Sequence, residues 1–327
     1  MSPDRDRVQG VVPAIRLQNP ERSDQRPTAQ MHTAEATTRH IRVIPRLDIK
    51  GPNLVKGVHL EGLRVLGKPE RFARYYYEQG ADELVYMDVV ASLYGRNSLL
   101  DIVARTAEET FIPLTVGGGL RTLEDIKTVL RAGADKVALN TAAIRRPEFI
   151  REASQQFGSS TIMVSIEAVR QPHGRYEAYT DNGREPTGID AFAWAVQAVE
   201  LGAGELMVTS IDQEGTGQGF DLELTRTIAD SVPIPVIACG GAGNLSHLRE
   251  AIREGHADAV SMASILHYNF IKHHPANGQF AGEGNTEFLN ARREFSPIQD
   301  VDFPKVKAFL QAEGIACRPV SKETRHA

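Results

Sequence analysis

The sequence predicts an α/β fold, a closed (β/α)8 TIM barrel made of two repeated half-barrels. Three observations predict it. From Arg42 onward, eight short β-branched runs alternate with amphipathic stretches, the pattern of a parallel sheet assembled from βα units. Segment 112–142 recurs as 234–265, so the chain carries an internal duplication. No GxGxxG follows the first run, which removes the mark of an open dinucleotide-binding sheet.

The runs begin near Val43 (RVIPRLDI), Glu83 (ELVYMDVV), Ile112 (IPLTVGGG), Lys136 (KVALN), Thr161 (TIMVSIEA), Glu205 (ELMVTS), Ile234 (IPVIACGG) and Asp258 (DAVSMAS). Between them, PERFARYYYEQG, LEDIKTVLRAG, PEFIREASQQFG, DAFAWAVQAVELG and LSHLREAIREG have helical periodicity, several closing on the glycine that ends a helix. Residues 1–40 show neither period and contain Pro3, Pro13, Pro20 and Pro27, so a disordered extension is expected there. The barrel is expected over 41–320, with a loop insertion at about 269–300. The duplication needs one inserted residue, His256, and EQGADEL (78–84) matches ELGAGEL (200–206) at the same offset. Equivalent positions should therefore face each other across one barrel mouth.

Composition narrows the chemistry. With 41% hydrophobic and 24% charged residues, the 327-residue chain can bury a large core, which excludes wholesale disorder. A formal net charge of -5 gives no global basic field, so neither nucleic acid nor a membrane surface is an expected partner; any anion must be held by a local pocket. Cys239 and Cys317 lie far apart without metal-ligand spacing, and no metal or other cofactor is expected. His273-His274 has no companion ligands. No apolar run reaches about 18 residues and the start, MSPDRDRVQG, is charged, so a soluble cytoplasmic protein is expected.

In such a barrel the reactive groups sit where strands end. Gly117, Gly118 and Gly119 follow the third run, and Gly240, Gly241 and Gly243 follow the seventh; glycine lets backbone N–H groups approach an anion closely. Asn140-Thr141 and Ala263-Ser264 end the fourth and eighth runs, each beside its glycine turn. Two equivalent anion cradles follow, suited to a substrate with a phosphate at each end. Asp48 ends the first run and Glu167 the fifth, so the duplication sets two carboxylates over the pocket for acid–base work. Asp88, Asp212 and Glu214 are further rim acids, and Lys50, Lys56 and Arg96 offer positive charge. Cys239, within an apolar run, reads as a small core residue. At the opposite face, Arg42, Glu83, Lys136 and Glu205 open the first, second, fourth and sixth runs with alternating sign. That ring either caps the core with salt bridges or gates a small molecule along the barrel axis.

The stretches RVIPRLDIKGPNLVKGV, ADELVYMDVVAS, FIPLTVGGGLRTLEDIKTVLRAGADKVALNTAA, GAGELMVTSIDQEGTGQGFD and IPVIACGGAGNL resemble the cyclase subunit of imidazole glycerol phosphate synthase. The resemblance runs from about Arg42 to Tyr268 and resumes at VDFPKVKAFLQAEGI. It implies a two-phosphate ribonucleotide across the mouth, and a glutaminase subunit docked at the bottom face as a heterodimer, sending ammonia through the barrel. It places the acids on Asp48 and Glu167 and the ammonia gate on Arg42, Glu83, Lys136 and Glu205. It places phosphate sites on Gly118 or Gly119, Asn140, Thr141, Gly215, Gly241, Ala263 and Ser264; the residues themselves add Lys56, Asp212 and Gly240 as expected phosphate or substrate contacts. A related single-chain sugar isomerase shares the duplication but has no use for a gated bottom face.

The chain departs from that family pattern at Glu167 and Glu214, where aspartate is usual, at Arg46, where cysteine is usual, and in a longer first loop, KGPNLVKGVHLEGLRVLG. These differences resemble cyclase-like paralogues that supply ammonia for amidination of an N-acetyl sugar in surface-polysaccharide synthesis. Moving a catalytic carboxylate by about 1 Å can cost roughly 100-fold in rate, so the extra methylene of Glu167 predicts weakened cyclase chemistry. Two readings stand at this point: histidine-pathway cyclase, and ammonia-channelling subunit.

Overall fold

A computed structural model describes residues 39–91, 99–274 and 298–320. Most of the expected N-terminal extension, Arg96 and most of the expected insertion lie outside the described residues. Eight parallel strands close on themselves: β1 (Arg42–Lys50), β4 (Leu84–Asp88), β5 (Leu114–Gly117), β6 (Lys136–Leu139), β7 (Ile162–Arg170), β10 (Glu205–Ser210), β11 (Val236–Cys239) and β12 (Ala259–Met262), which returns to β1. This is the (β/α)8 barrel that the runs predict. Two antiparallel hairpins interrupt the alternation, β2 (Asn53–Val58) with β3 (Glu61–Gly67) after β1, and β8 (Tyr176–Thr180) with β9 (Glu185–Asp190) after β7. Each extends the first strand of a half-barrel, so the duplication reaches further than the sequence match.

The helices of the outer layer are α1 (Pro69–Glu78), α2 (Leu100–Glu109), α3 (Leu123–Arg131), α4 (Thr141–Arg145), α5 (Glu148–Phe157), α6 (Ala191–Glu200), α7 (Leu222–Ser231), α8 (Leu245–Arg253), α9 (Ser264–His273) and α10 (Phe303–Ala312). Their starts are chemically marked. Thr122 and Asp125 form a capping box on α3, while Asp190, Asp221, Asn244 and Asp302 accept the first free amides of α6, α7, α8 and α10. Helix α9 carries the chain five residues into the stretch expected to be insertion, because Asn269 and Phe270 are buried on its inner face. No helix among the described residues is long and apolar enough to cross a membrane.

Strand alternation separates two cores. Outward residues such as Leu47, Tyr86 and Val208 pack with Phe72, Phe149 and Trp194 of the helices. Inward residues Ile44, Val85, Met163, Met207 and Ile237 fill the barrel itself. At the bottom face, Asp82, Asp135 and Asp258 each precede one strand and accept the backbone N–H of its neighbour, at Val43, Leu114 and Val236, over 2.7–2.8 Å. The barrel is thereby stitched where its strands begin, leaving the opposite rim free to carry chemistry.

Candidate active site

On β1, side chains at alternate positions point inward, so Arg42, Ile44, Arg46 and Asp48 form one ladder from bottom face to mouth. On β7, Met163, Ser165 and Glu167 do the same. Three strands separate β1 from β7 in either direction round the barrel, which sets Asp48 and Glu167 on opposite walls. Both are buried.

Their surroundings differ. Asp48 Oδ1 accepts from Arg46 Nε at 2.8 Å, and Lys56 Nζ lies 3.9 Å from Oδ2. Lys56 stands on β2, folded inward over the mouth, and also pairs with Glu214. Burial works against both cations, yet these carboxylates raise the pKa of Lys56 and hold that of Arg46 well above its ordinary value. Glu167 instead meets neutral donors. Asn140 Nδ2 approaches Oε2 at 3.1 Å, and the Gly183 backbone N–H supplies a further bond. Burial dominates there, opposed in part by the Arg46 charge, and pushes the Glu167 carboxyl up to about 7. One wall carries an ion-paired carboxylate, the other an acid poised near neutrality.

Each glycine turn opens onto a cavity. The first, about 240 Å³, is lined by Gly118, Gly119, Asn140, Thr141 and Glu167, with Arg121, Arg145 and Arg146 at its margin. The second is lined by Lys56, Glu214, Gly215, Gly240, Gly241, Ala263 and Ser264, with Arg46 and Cys239 as further walls. It measures about 20 Å³, room for about one water. The β2–β3 hairpin closes it: the His59 N–H donates to the Glu214 carbonyl at 2.8 Å, and Gly215 packs against the Gly57 backbone. Glycine is required in both turns. Gly118 has φ +100° and a Cβ there would overlap the Asp88 carbonyl; Gly241 has φ +106° and a Cβ would overlap the Gly219 carbonyl. Gly241→Ala is therefore expected to destabilise the protein by at least about 1–3 kcal/mol in urea unfolding, the range for forced left-handed backbone.

Two expected contacts are not brought in. Asp212 is exposed, and its carboxylate accepts the Arg170 backbone N–H at 2.8 Å. The turn after β10 is helical, with the Glu214 N–H donating to the Ser210 carbonyl, so Glu214 folds back over the mouth and Asp212 points away. Lys50 is exposed as well. Cys239 is buried with its thiol pKa pushed up by burial, which makes it a wall and not a nucleophile. At the bottom face the four charges close a ring: Arg42 reaches Glu83 at 2.7 Å and Glu205 at 2.5 Å, and Lys136 reaches both at 3.1 Å. Above it, the buried hydroxyls of Thr115, Ser165 and Ser261 have no hydrogen-bond partner among the described residues. The barrel interior between ring and mouth is thus partly polar.

The family model described as "Histidine biosynthesis protein" matches residues 42–272, most of the chain. The chain belongs to this histidine biosynthesis protein family. A relative from Legionella pneumophila, "Imidazole glycerol phosphate synthase subunit HisF", is 60% identical over 206 residues, 63% of this chain and 97% of the relative. Arg121, Arg145 and Asn182 also line the first cavity, beyond the residues that the sequence marks. Arg121 and Arg145 follow strand ends by a few residues, a signal that was present but shared with many solvated arginines. Arg46 had a sharper signal, since period 2 puts it on the same face as Asp48.

Proposed function

We propose that the chain is the cyclase subunit of an imidazole glycerol phosphate synthase, converting a bis-phosphorylated ribonucleotide and ammonia to imidazole glycerol phosphate and an aminoimidazole carboxamide ribonucleotide. The observation that carries this reading is the pair of unlike carboxylates, Asp48 and Glu167, set between two glycine cradles in a member of this family. Ammonia sheds protons as its nitrogen forms bonds, and a departing amine must gain one. Asp48, held by cations, suits the accepting role; Glu167, with its carboxyl near 7, suits the donating role. A glutaminase partner would dock at the bottom face, delivering ammonia past the ring of Arg42, Glu83, Lys136 and Glu205 into an interior with unpaired hydroxyls. The test is ribonucleotide turnover with an ammonium salt in place of the partner; turnover of the ribonucleotide to both products is the expected result. The second reading, ammonia supply for amidination of an N-acetyl sugar, draws on Arg46 at the face of Asp48. Partner binding without ribonucleotide turnover would favour it.

The cradles give a separate expectation. Crystals grown in inorganic phosphate should carry one anion at Gly118, Gly119, Asn140 and Thr141 and another at Gly241, Ala263 and Ser264, because backbone amides bind phosphate without the rest of the substrate. The second site must open first by parting Lys56 from Glu214. Density at neither place would reject the paired-cradle argument.

A further inference from the structure

By the duplication, Asp48 and Glu167 are equivalents; by their contacts they are not, since Arg46 is hydrogen-bonded to Asp48 while Asn140 seats Glu167. Its side chain is 1% exposed at the barrel axis. The guanidinium is tied on three sides: Nε to Asp48 Oδ1 at 2.8 Å, Nη1 to Thr209 Oγ1 of β10 at 3.3 Å and to Cys239 Sγ of β11 at 3.5 Å. Its backbone carbonyl accepts from His267 Nε2 at 3.0 Å, and His267, held neutral by burial, is seated in turn by the Tyr76 hydroxyl. Nη2 is buried with no acceptor among the described residues. A buried ion pair of this kind adds little net stability over apolar residues of similar volume. What a rigid guanidinium fork does supply is a fixed carboxylate orientation.

We propose that Arg46 is the positioning residue of the acid pair: its fork fixes the Asp48 carboxylate as the proton acceptor, while Glu167 is seated instead by Asn140 as the proton donor. The assignment of roles rests on the cyclase reading; the pairing itself rests on geometry. The groups facing Glu167 are Arg46 and Asp48 from β1, Asn140 beyond β6, and the Gly183 N–H and Arg184 from the turn before β9. Of these, Arg46 and Arg184 favour the ionised form and Asp48 opposes it.

The experiment compares wild type, Arg46→Met and Arg46→Lys on the full chain by two readouts. The first is the titration of the Glu167 carboxyl by 13C NMR, assigned with Glu167→Gln. Loss of the guanidinium charge in Arg46→Met should move the titration to higher pH, Arg46→Lys should leave it near that of wild type, and Asp48→Asn should move it lower. An unmoved titration in Arg46→Met overturns the proposal whether or not the protein turns over ribonucleotide. The second is ammonium-driven turnover. Arg46→Met and Arg46→Lys should lower kcat by about 100-fold with less change in KM, since the lysine keeps charge but loses the fork. Arg46→Met combined with Asp48→Asn should lose no more than Asp48→Asn alone, because the arginine acts through that carboxylate. Fully additive losses would overturn the positioning role. A shifted titration in a protein without ribonucleotide turnover would retain the Arg46 pairing and reject the cyclase reading instead.

Discussion

Asp48→Asn is expected to lower ammonium-driven turnover of the ribonucleotide by about 100- to 10,000-fold, the usual span for loss of a positioned acid or base. The substitution keeps the shape of the side chain, and the amide oxygen can still accept from Arg46 Nε. What it removes is the ability to take a proton, together with the negative charge between Arg46 and Lys56. Two buried cations then share fewer anions, and breaking one side of a buried pair costs about 3–5 kcal/mol. A loss of activity must therefore be read beside a thermal melt and a circular dichroism spectrum. Folded protein with abolished turnover supports the assignment. Turnover like that of wild type, in a correctly folded variant, would remove Asp48 from the chemistry and with it the proposed division between the two walls.

How much of this was legible in the sequence depends on which interactions write themselves locally. The eight barrel strands were readable because β-branched runs and capped helices alternate over 42–262. The β2–β3 hairpin was not. Its two-residue turn is His59-Leu60, both at positive φ, where the favoured Asn-Gly or Asp-Gly pair is absent and the segment reads as a long loop. The β8–β9 turn carries Asp181, Asn182 and Gly183, all at positive φ, residue types that mark a turn. Within the site, the positions of Asp48 and Glu167 follow from strand ends, but their difference does not. It arises from Arg46, Lys56 and Asn140 converging from three elements. Likewise nothing local separates Asp212 from Glu214; the helical turn after β10 decides which of them enters.

Glu167→Gln should also lower turnover by about 100- to 10,000-fold, since the amide has no proton to give. The pH dependence supplies a second, independent signature. Because the Glu167 carboxyl sits near 7, the acid form falls away above neutrality, and the limb of the wild-type profile that reports it should be absent from any residual activity of the variant. Stability follows the same group. A carboxyl raised in the folded state binds its proton more tightly than in the unfolded chain, so its contribution is full below the ordinary glutamate range and is lost as pH rises through about 7. Glu167→Gln should remove that slope and melt higher than wild type, relative to their difference at pH 4, when both are measured at pH 8. Shortening the side chain tests the seat itself. The family pattern taken alone has Glu167→Asp restore the usual geometry and raise turnover, but Asn140 Nδ2 and the Gly183 N–H meet a carboxyl at glutamate length. Pulling it back by a methylene detaches it from both, so the expected result is a fall of about 10- to 100-fold. A rise on Glu167→Asp would mean that the seat is not the working position and that glutamate is an obstacle to cyclisation. Combined with partner binding that survives the change, that outcome would turn the reading toward a conduit for ammonia.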